Sequence, residues 1–269
     1  MAALDKKSNS SLKMPVLFVG HGSPMNSVTD NDFTRHLTML GKTLPRPKKI
    51  LMISAHWMTK GISLQASPNP KMIYDFYGFP EQLYQISYPA PGNPELAQKL
   101  SNDLLPLQAE LDFDWGFDHG AWSVLHHMFP KADIPVVQLS LNENFTNLRD
   151  HFKMAAELKN LRNEGVLIIG SGNIVHNLRQ ITRLADAPVL DWALEFDSII
   201  KSSINNNNLT QLLAEDPSKH SLWKMAHPSI EHYLPLLYVL GASDPGEKII
   251  YPYESFELGS LSMRSVLIG

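Results

Sequence analysis

Cysteine is absent from all 269 residues. That excludes disulfides, thiolate metal sites and cysteine nucleophiles together, so any metal must be held by nitrogen and oxygen. Long apolar runs are missing as well, and none approaches the ~20 residues that span a bilayer. Residues 1–13 (MAALDKKSNSSLK) lack the apolar core of a secretory signal. They read as a polar lead-in to one domain over residues 14–269, and a cytoplasmic protein is expected. Positive charge is not in excess: 23 Lys and Arg against 27 Asp and Glu give a net −4, with no basic face for nucleic acid. Phosphate loops, the Gly-x-Gly-x-x-Gly dinucleotide fingerprint and the Gly-x-Ser-x-Gly nucleophile elbow do not occur.

What is present is histidine, eleven in all, and three of them share a setting. The run PVLFVG (residues 15–20) leads into His21, ILMISA (50–55) leads into His56, and VLIIG (166–170) leads through a Gly-Ser-Gly-Asn turn to His176. Short apolar runs bounded by turn residues read as buried strands. In open α/β sheets ligands collect beyond the carboxyl ends of the strands. Three imidazoles delivered to one rim imply a mononuclear metal site.

Around these runs, helices are predicted over residues 31–40 with Asp30 as cap, and over 94–104, 121–129, 145–162, 193–204 and 229–240. Further strands are predicted at 62–66, 134–140, 248–253 and 261–268, the last two pairing as an edge hairpin. Residues 67–92, rich in proline, glycine and aromatics, read as a functional loop. The fold class is α/β: a mixed, mostly parallel sheet with helices on both faces.

The remaining histidines are weighed singly. His36, His151 and His220 sit in polar contexts and read as structural. His126 and His127 are neighbours on a helix, roughly 100° apart, so both cannot serve one site. In HPSIEH (227–232), Pro228 opens the predicted helix, and His227 and His232 diverge by ~140°. His232 is preferred there, with Glu231 as an alternative oxygen donor. His119 can reach the site from its loop or simply pair with Asp118. Trp57, Phe79 and Trp122 can line a pocket for a flat substrate or belong to the core.

The segments GHGSPMN (20–26), SAHW (54–57), YPAPGNPELA (88–97), GFDHGAW (116–122), GSGNIVHNLR (170–179) and HPSIEHYLPLLYVLGA (227–242), in this order, resemble the class III extradiol ring-cleavage dioxygenases of the DOPA 4,5-dioxygenase type. The resemblance covers nearly all of residues 14–269. It implies an α/β sandwich around a mixed sheet. It also implies one divalent ion per chain, with His21, His56 and His232 as ligands, His176 as a fourth ligand or an acid/base, and His119 over the substrate. Small aromatic diols and O2 are then the partners. Many relatives in the wider class use two histidines and a carboxylate, whereas here imidazole replaces the carboxylate unless Glu231 turns inward. An all-nitrogen site suits Zn(II) as well as Fe(II), so a zinc-dependent hydrolase and a non-catalytic zinc-binding protein stand as alternatives.

Overall fold

The structure is a computed structural model that describes residues 13–182 and 188–269. All of the expected lead-in except Lys13 therefore lies outside the described residues. In chain order the elements are β1 (Val16–Gly20), α1 (Asp32–Thr43), β2 (Lys49–Thr59), β3 (Ser63–Gln65), α2 (Pro94–Asp103), β4 (Glu110–Asp112), α3 (His119–Met128), β5 (Val136–Asn142), α4 (Leu148–Ala156), β6 (Val166–Gly172), α5 (Asp191–Asn205), α6 (Leu209–Leu212), α7 (Ser221–Ala226), α8 (Leu234–Gly241), β7 (Ile249–Ile250), β8 (Phe256–Glu257), β9 (Leu261–Ser262) and β10 (Val266–Ile268).

Eight strands form one sheet in the order β4-β3-β5-β2-β6-β1-β10-β7. Its centre, β5-β2-β6-β1, is parallel, while β10 runs antiparallel to β1 and β7 antiparallel to β10. The expected closing hairpin is therefore present as β7 and β10, with β10 also docked on β1. Side chains alternate across the pleat as a period of two demands. Val16, Phe18, Leu51, Ile53 and Ile168 face a core with α2, α4, α5 and α8, while Leu17, Val19, Ile50, Met52, Leu167 and Ile169 face α1 and α3. Both faces are covered, giving a three-layer α/β sandwich. Burying one such Leu, Ile or Phe is worth about 1.5–3 kcal/mol, so the alternation itself fixes which face each strand presents.

Several boundaries differ from the sequence expectation for identifiable reasons. Asn31, not Asp30, caps α1 through a reciprocal pair with Thr34, and Asp30 instead binds Arg35. Asp118 caps α3, which therefore starts at His119 rather than residue 121. The expected 229–240 helix begins only at Leu234, because Pro235 is tolerated only in a first turn. His232 consequently stands in the turn before α8. The 145–162 helix breaks after Ala156 into a 3-10 segment, Lys159–Glu164. Residues 248–253 keep only two strand residues, and 261–268 divides into β9 and β10.

Candidate metal centre

The carboxyl ends of β1, β2 and β6 converge. His21 follows β1 directly, and its N–H donates to the Gly172 carbonyl at 3.0 Å. Its ring Nδ1 lies 2.8 Å from the buried Ser171 hydroxyl, which donates its own proton to the Gly120 carbonyl at 2.6 Å. The hydroxyl proton is thus committed, so Nδ1 of His21 must carry the donated hydrogen and Nε2 is left with a lone pair.

His56 is not at a strand end as expected. It lies inside β2, where the pairing with β5 shifts register between Ile53 and Met58. This irregularity brings His56 Nε2 to 3.3 Å from His21 Nε2. Its Nδ1 lies 3.1 Å from Asp75 Oδ2. Gly120 makes room for the ring, since a Cβ there would meet Ser54 Oγ and come within 2.9 Å of His56 Cδ2.

His232 completes the trio. Its ring centroid is 5.4 Å from that of His21 and 5.0 Å from that of His56, and its Nδ1 is 3.1 Å from Glu231 Oε1. Its carbonyl accepts from Asn173 N–H at 2.9 Å and would collide with any Cβ on Gly172. Ligand atoms of His21, His56 and His232 all lie within 4.8 Å of one another. Two nitrogens each about 2.0–2.1 Å from a tetrahedral ion stand about 3.3–3.4 Å apart, and the His21–His56 separation of 3.3 Å fits that spacing. With each Nδ1 beside an oxygen and the His21 and His56 Nε2 atoms facing each other, the donor set suits a divalent cation.

His176 and His119 flank this trio. The His176 ring lies flat on His232, centroids 3.4 Å apart and planes at 5°. Its nitrogen groups with Glu231 and His232 rather than with His21 and His56. His119 sits on the other side, its centroid 4.0 Å from His56. It is not paired with Asp118. Its backbone N–H donates to Asp75 Oδ1 at 2.8 Å, and its Nδ1 is 2.9 Å from Asp75 Oδ2, off the line of a well-formed hydrogen bond. Glu231 does not turn inward: Oε1 accepts from Ser229 at 2.9 Å and faces His232 Nδ1.

Burial dominates the electrostatics. It drives His21 and His232 well below the usual histidine range, lowers His119, and pushes His176 down to about 3, with neighbouring histidines adding to each shift. For His56, burial is outweighed by the nearby carboxylates of Asp75 and Asp118, which raise it. Burial would raise Asp75, but the His119 and His56 imidazoles hold it far below the usual carboxylate range.

Other histidines stand apart. His227 Nε2 is tied to the Ile174 carbonyl at 2.7 Å, His127 Nε2 to the Asn26 carbonyl at 2.9 Å, and His151 packs on Tyr238. Of the three aromatics singled out, Trp57 stacks on Trp115. Phe79 and Trp122 both contact Phe76, whose ring meets His119 edge-on at 5.6 Å. Sequence reasoning missed Asp75, Phe76 and Ser171. The signal for Asp75 was a lone acid between aromatics in YDFYGF.

Fold and site together define an α/β protein with an imidazole-rich cluster, able to hold a cation, at the carboxyl edge of its parallel strands. Residues 15–260 match the family model described as the catalytic LigB subunit of aromatic ring-opening dioxygenase. The chain is 48% identical over 262 residues to the 4,5-DOPA dioxygenase extradiol of Escherichia coli (strain K12), covering 97% of this chain and 96% of that one. It is 37% identical to the protein of the same name from Beta vulgaris, covering 92% and 94%. A crystal structure of an uncharacterized protein from Escherichia coli K12 superposes with TM-score 0.83 at 44% identity, over 95% of this chain and 100% of that one. The chain belongs to this family, the class III extradiol dioxygenases, and is an aromatic ring-opening dioxygenase. No helix among the described residues is long and apolar enough to cross a membrane.

Proposed function

We propose that this protein is an Fe(II)-dependent extradiol dioxygenase that opens the ring of a catechol such as DOPA with O2, giving a semialdehyde. The observation that carries the reading is the convergence of His21, His56 and His232 with His21 and His56 Nε2 atoms 3.3 Å apart. These three residues would hold one ion per chain. Fe(II) held there would supply the chemistry that brings a catechol and O2 together at one centre.

The chain's own residues do the rest. Ser171, Asp75 and Glu231 face the Nδ1 atoms of His21, His56 and His232 and hold the three rings in place. His176 and His119 flank the trio on its His232 and His56 sides, where each imidazole can take a proton from a catechol hydroxyl and return it. Burial lowers the proton affinity of both. His176 serves in this way rather than as a fourth ligand, because a ring lying flat on His232 does not aim its lone pair at the same point. Phe76, edge-on to His119 and backed by Phe79 and Tyr84, offers an apolar wall to an aromatic ring. The relatives named for 4,5-DOPA support DOPA as substrate.

Anaerobic purification, loading with Fe(II) or Zn(II), and oxygen uptake across a catechol panel test the reading. Oxygen uptake and a yellow product with iron but not zinc are expected. Silence with iron across the panel, together with ester hydrolysis under zinc, would sink it. His21→Ala, His56→Ala and His232→Ala should lose the metal, whereas His176→Ala should keep it and lose turnover.

A further inference from the structure

One carboxylate beside the centre has no part in the proposed chemistry. Glu257, on β8, is half-buried, and its Oε2 accepts both the Ser23 backbone N–H at 2.9 Å and the Asn26 side-chain amide at 3.1 Å. Oε1 accepts from none of the described residues. The two glutamates before it in sequence each meet an arginine and a lysine: Glu247 meets Arg162 and Lys13, and Glu254 meets Arg264 and Lys201. Among the described residues, no cationic side chain pairs with Glu257. Taking a carboxylate out of water without a countercharge is costly, and burial does raise Glu257, against the pull of its two N–H donors.

Its place is at the rim of the centre. Ser23 lies two residues beyond His21, at most about 7 Å of chain. The hairpin of β8 and β9 also reaches the other side: Ser262 N–H donates to the carbonyl of Val175, next to His176, at 3.1 Å, and Thr182 N–H donates to Leu258 O at 2.8 Å. Glu257 therefore stands between the segment that follows His21 and the segment that carries His176. Gly22, at φ 65°, admits it, because a Cβ there would strike Glu257 Oε2 and Met263 Sδ. The loop itself does not need the charge. Asn26 Oδ1 accepts from Asn31 Nδ2 at 2.9 Å, the Asn26 carbonyl faces His127 Nε2 at 2.9 Å, and a glutamine carbonyl would accept both donors that Oε2 now accepts.

We propose that Glu257 sets substrate preference: its free oxygen receives the ammonium group of a catechol that carries an aminoalkyl side chain. That group is what separates DOPA from a plain catechol, and a carboxylate already desolvated and fixed by two N–H donors is a strong partner for it. The inference rests on the dioxygenase reading above for the ring end of the substrate, and adds the recognition of its other end.

The test sets Glu257→Gln against two compounds: DOPA, and hydrocaffeate, which is DOPA with hydrogen in place of the ammonium. Glutamine keeps the shape and an acceptor for Ser23 and Asn26 but removes the charge. Oxygen uptake by the iron-loaded proteins gives kcat/KM, and titration of the zinc-loaded proteins, which have no redox chemistry, gives Kd. In both measurements the preference for DOPA over hydrocaffeate is expected to fall about 10–100-fold in the variant, the range for losing a hydrogen bond to a charged group. The kinetic loss should lie in KM. A preference within twofold of the parent's overturns the proposal, whether both compounds suffer equally or neither does. Glu257→Asp, which draws the charge back by one methylene, gives the same readout if the glutamine variant does not fold. If the iron-loaded parent opens no catechol, the dioxygenase reading fails and the Kd ratio still decides the role of Glu257. Failure of the zinc-loaded parent to bind either compound overturns the proposal as well.

Discussion

Replacing Ser171 with alanine isolates one link between the fold and the centre. Ser171 lies on β6, in register with Val19 of β1 and Ser54 of β2, and is fully buried. Its hydroxyl accepts from His21 Nδ1–H at 2.8 Å and donates to Gly120 O at 2.6 Å. Alanine orphans both partners where no solvent reaches. Each unsatisfied buried group costs about 1–3 kcal/mol, so the metal-free protein should lose roughly 2 kcal/mol at the low end. For a chain of this size that is a drop in Tm of roughly 4–8 °C. The effect on binding is separate: freed from its acceptor, His21 can carry its proton on Nε2, and zinc affinity should fall 10–100-fold. Thermal unfolding of the metal-free protein and chelator competition with zinc measure the two effects independently. A destabilised variant with unchanged zinc affinity would refute the tautomer argument. A variant unchanged in both would refute the relay itself.

Three further outcomes are expected. Gly172→Ala places a Cβ on the His232 carbonyl, so it should cost about 1–3 kcal/mol in overpacking and strip zinc from the protein on gel filtration. Phe76→Ala removes the ring edge-on to His119; zinc affinity should hold while KM for a catechol rises about threefold to tenfold in oxygen-uptake assays. Glu247→Gln tests a charge pair far from the site. Burial alone would raise Glu247, but its contacts with Arg162, the Asp244 N–H and Lys13 bring it from 4.5 to about 2. A depressed carboxyl stabilises the fold above its unfolded value and loses that contribution as pH falls towards 2. The shift sets a ceiling of roughly 3 kcal/mol, and solvent at the edge of the pair reduces the expected loss at pH 7 to about 1–2 kcal/mol. Urea titrations should show the gap between the two proteins closing as the pH is lowered.

The parts legible in the sequence are those where one local signal suffices. β1, the start of β2 and β6 announce themselves as apolar runs, and the period-2 alternation of 16–19, 50–53 and 166–169 separates the two cores. His21, flanked by Gly20 and Gly22 after such a run, needed nothing more. His56 was expected at a strand end, whereas the strand continues past it and a register shift, invisible in the sequence, falls across its position. His232 was chosen over His227 on a helix that starts later. The choice agrees with the geometry because Gly172 and Asn173, not helical phase, set its backbone. Asp75 escaped notice because its partners lie 19 residues before it (His56) and 44 after it (His119), a pairing that only the fold creates.

The resemblance posed a question about the carboxylate that a facial triad would contain. No carboxylate stands among the three converging nitrogens; Asp75 and Glu231 lie one ring behind them, facing Nδ1 of His56 and of His232. Placed there, a carboxylate still acts on the centre, because it fixes the tautomer and raises the basicity of the imidazole in front of it. What it no longer does is occupy a binding position or neutralise charge within it. On the proposed reading, three imidazoles would leave more of a divalent ion's charge uncompensated than a triad containing a carboxylate, with Asp75 and Glu231 offsetting part of it from behind the rings. Such a pocket favours an anionic guest over a neutral one, and a catechol becomes anionic by giving a proton to a neutral base. His119, buried, and His176, half-buried, stand on the two sides of the trio. On the reading proposed above, the outward placement of the carboxylates and the two flanking imidazoles would belong to one arrangement, in which a catechol gives a proton to a nearby imidazole.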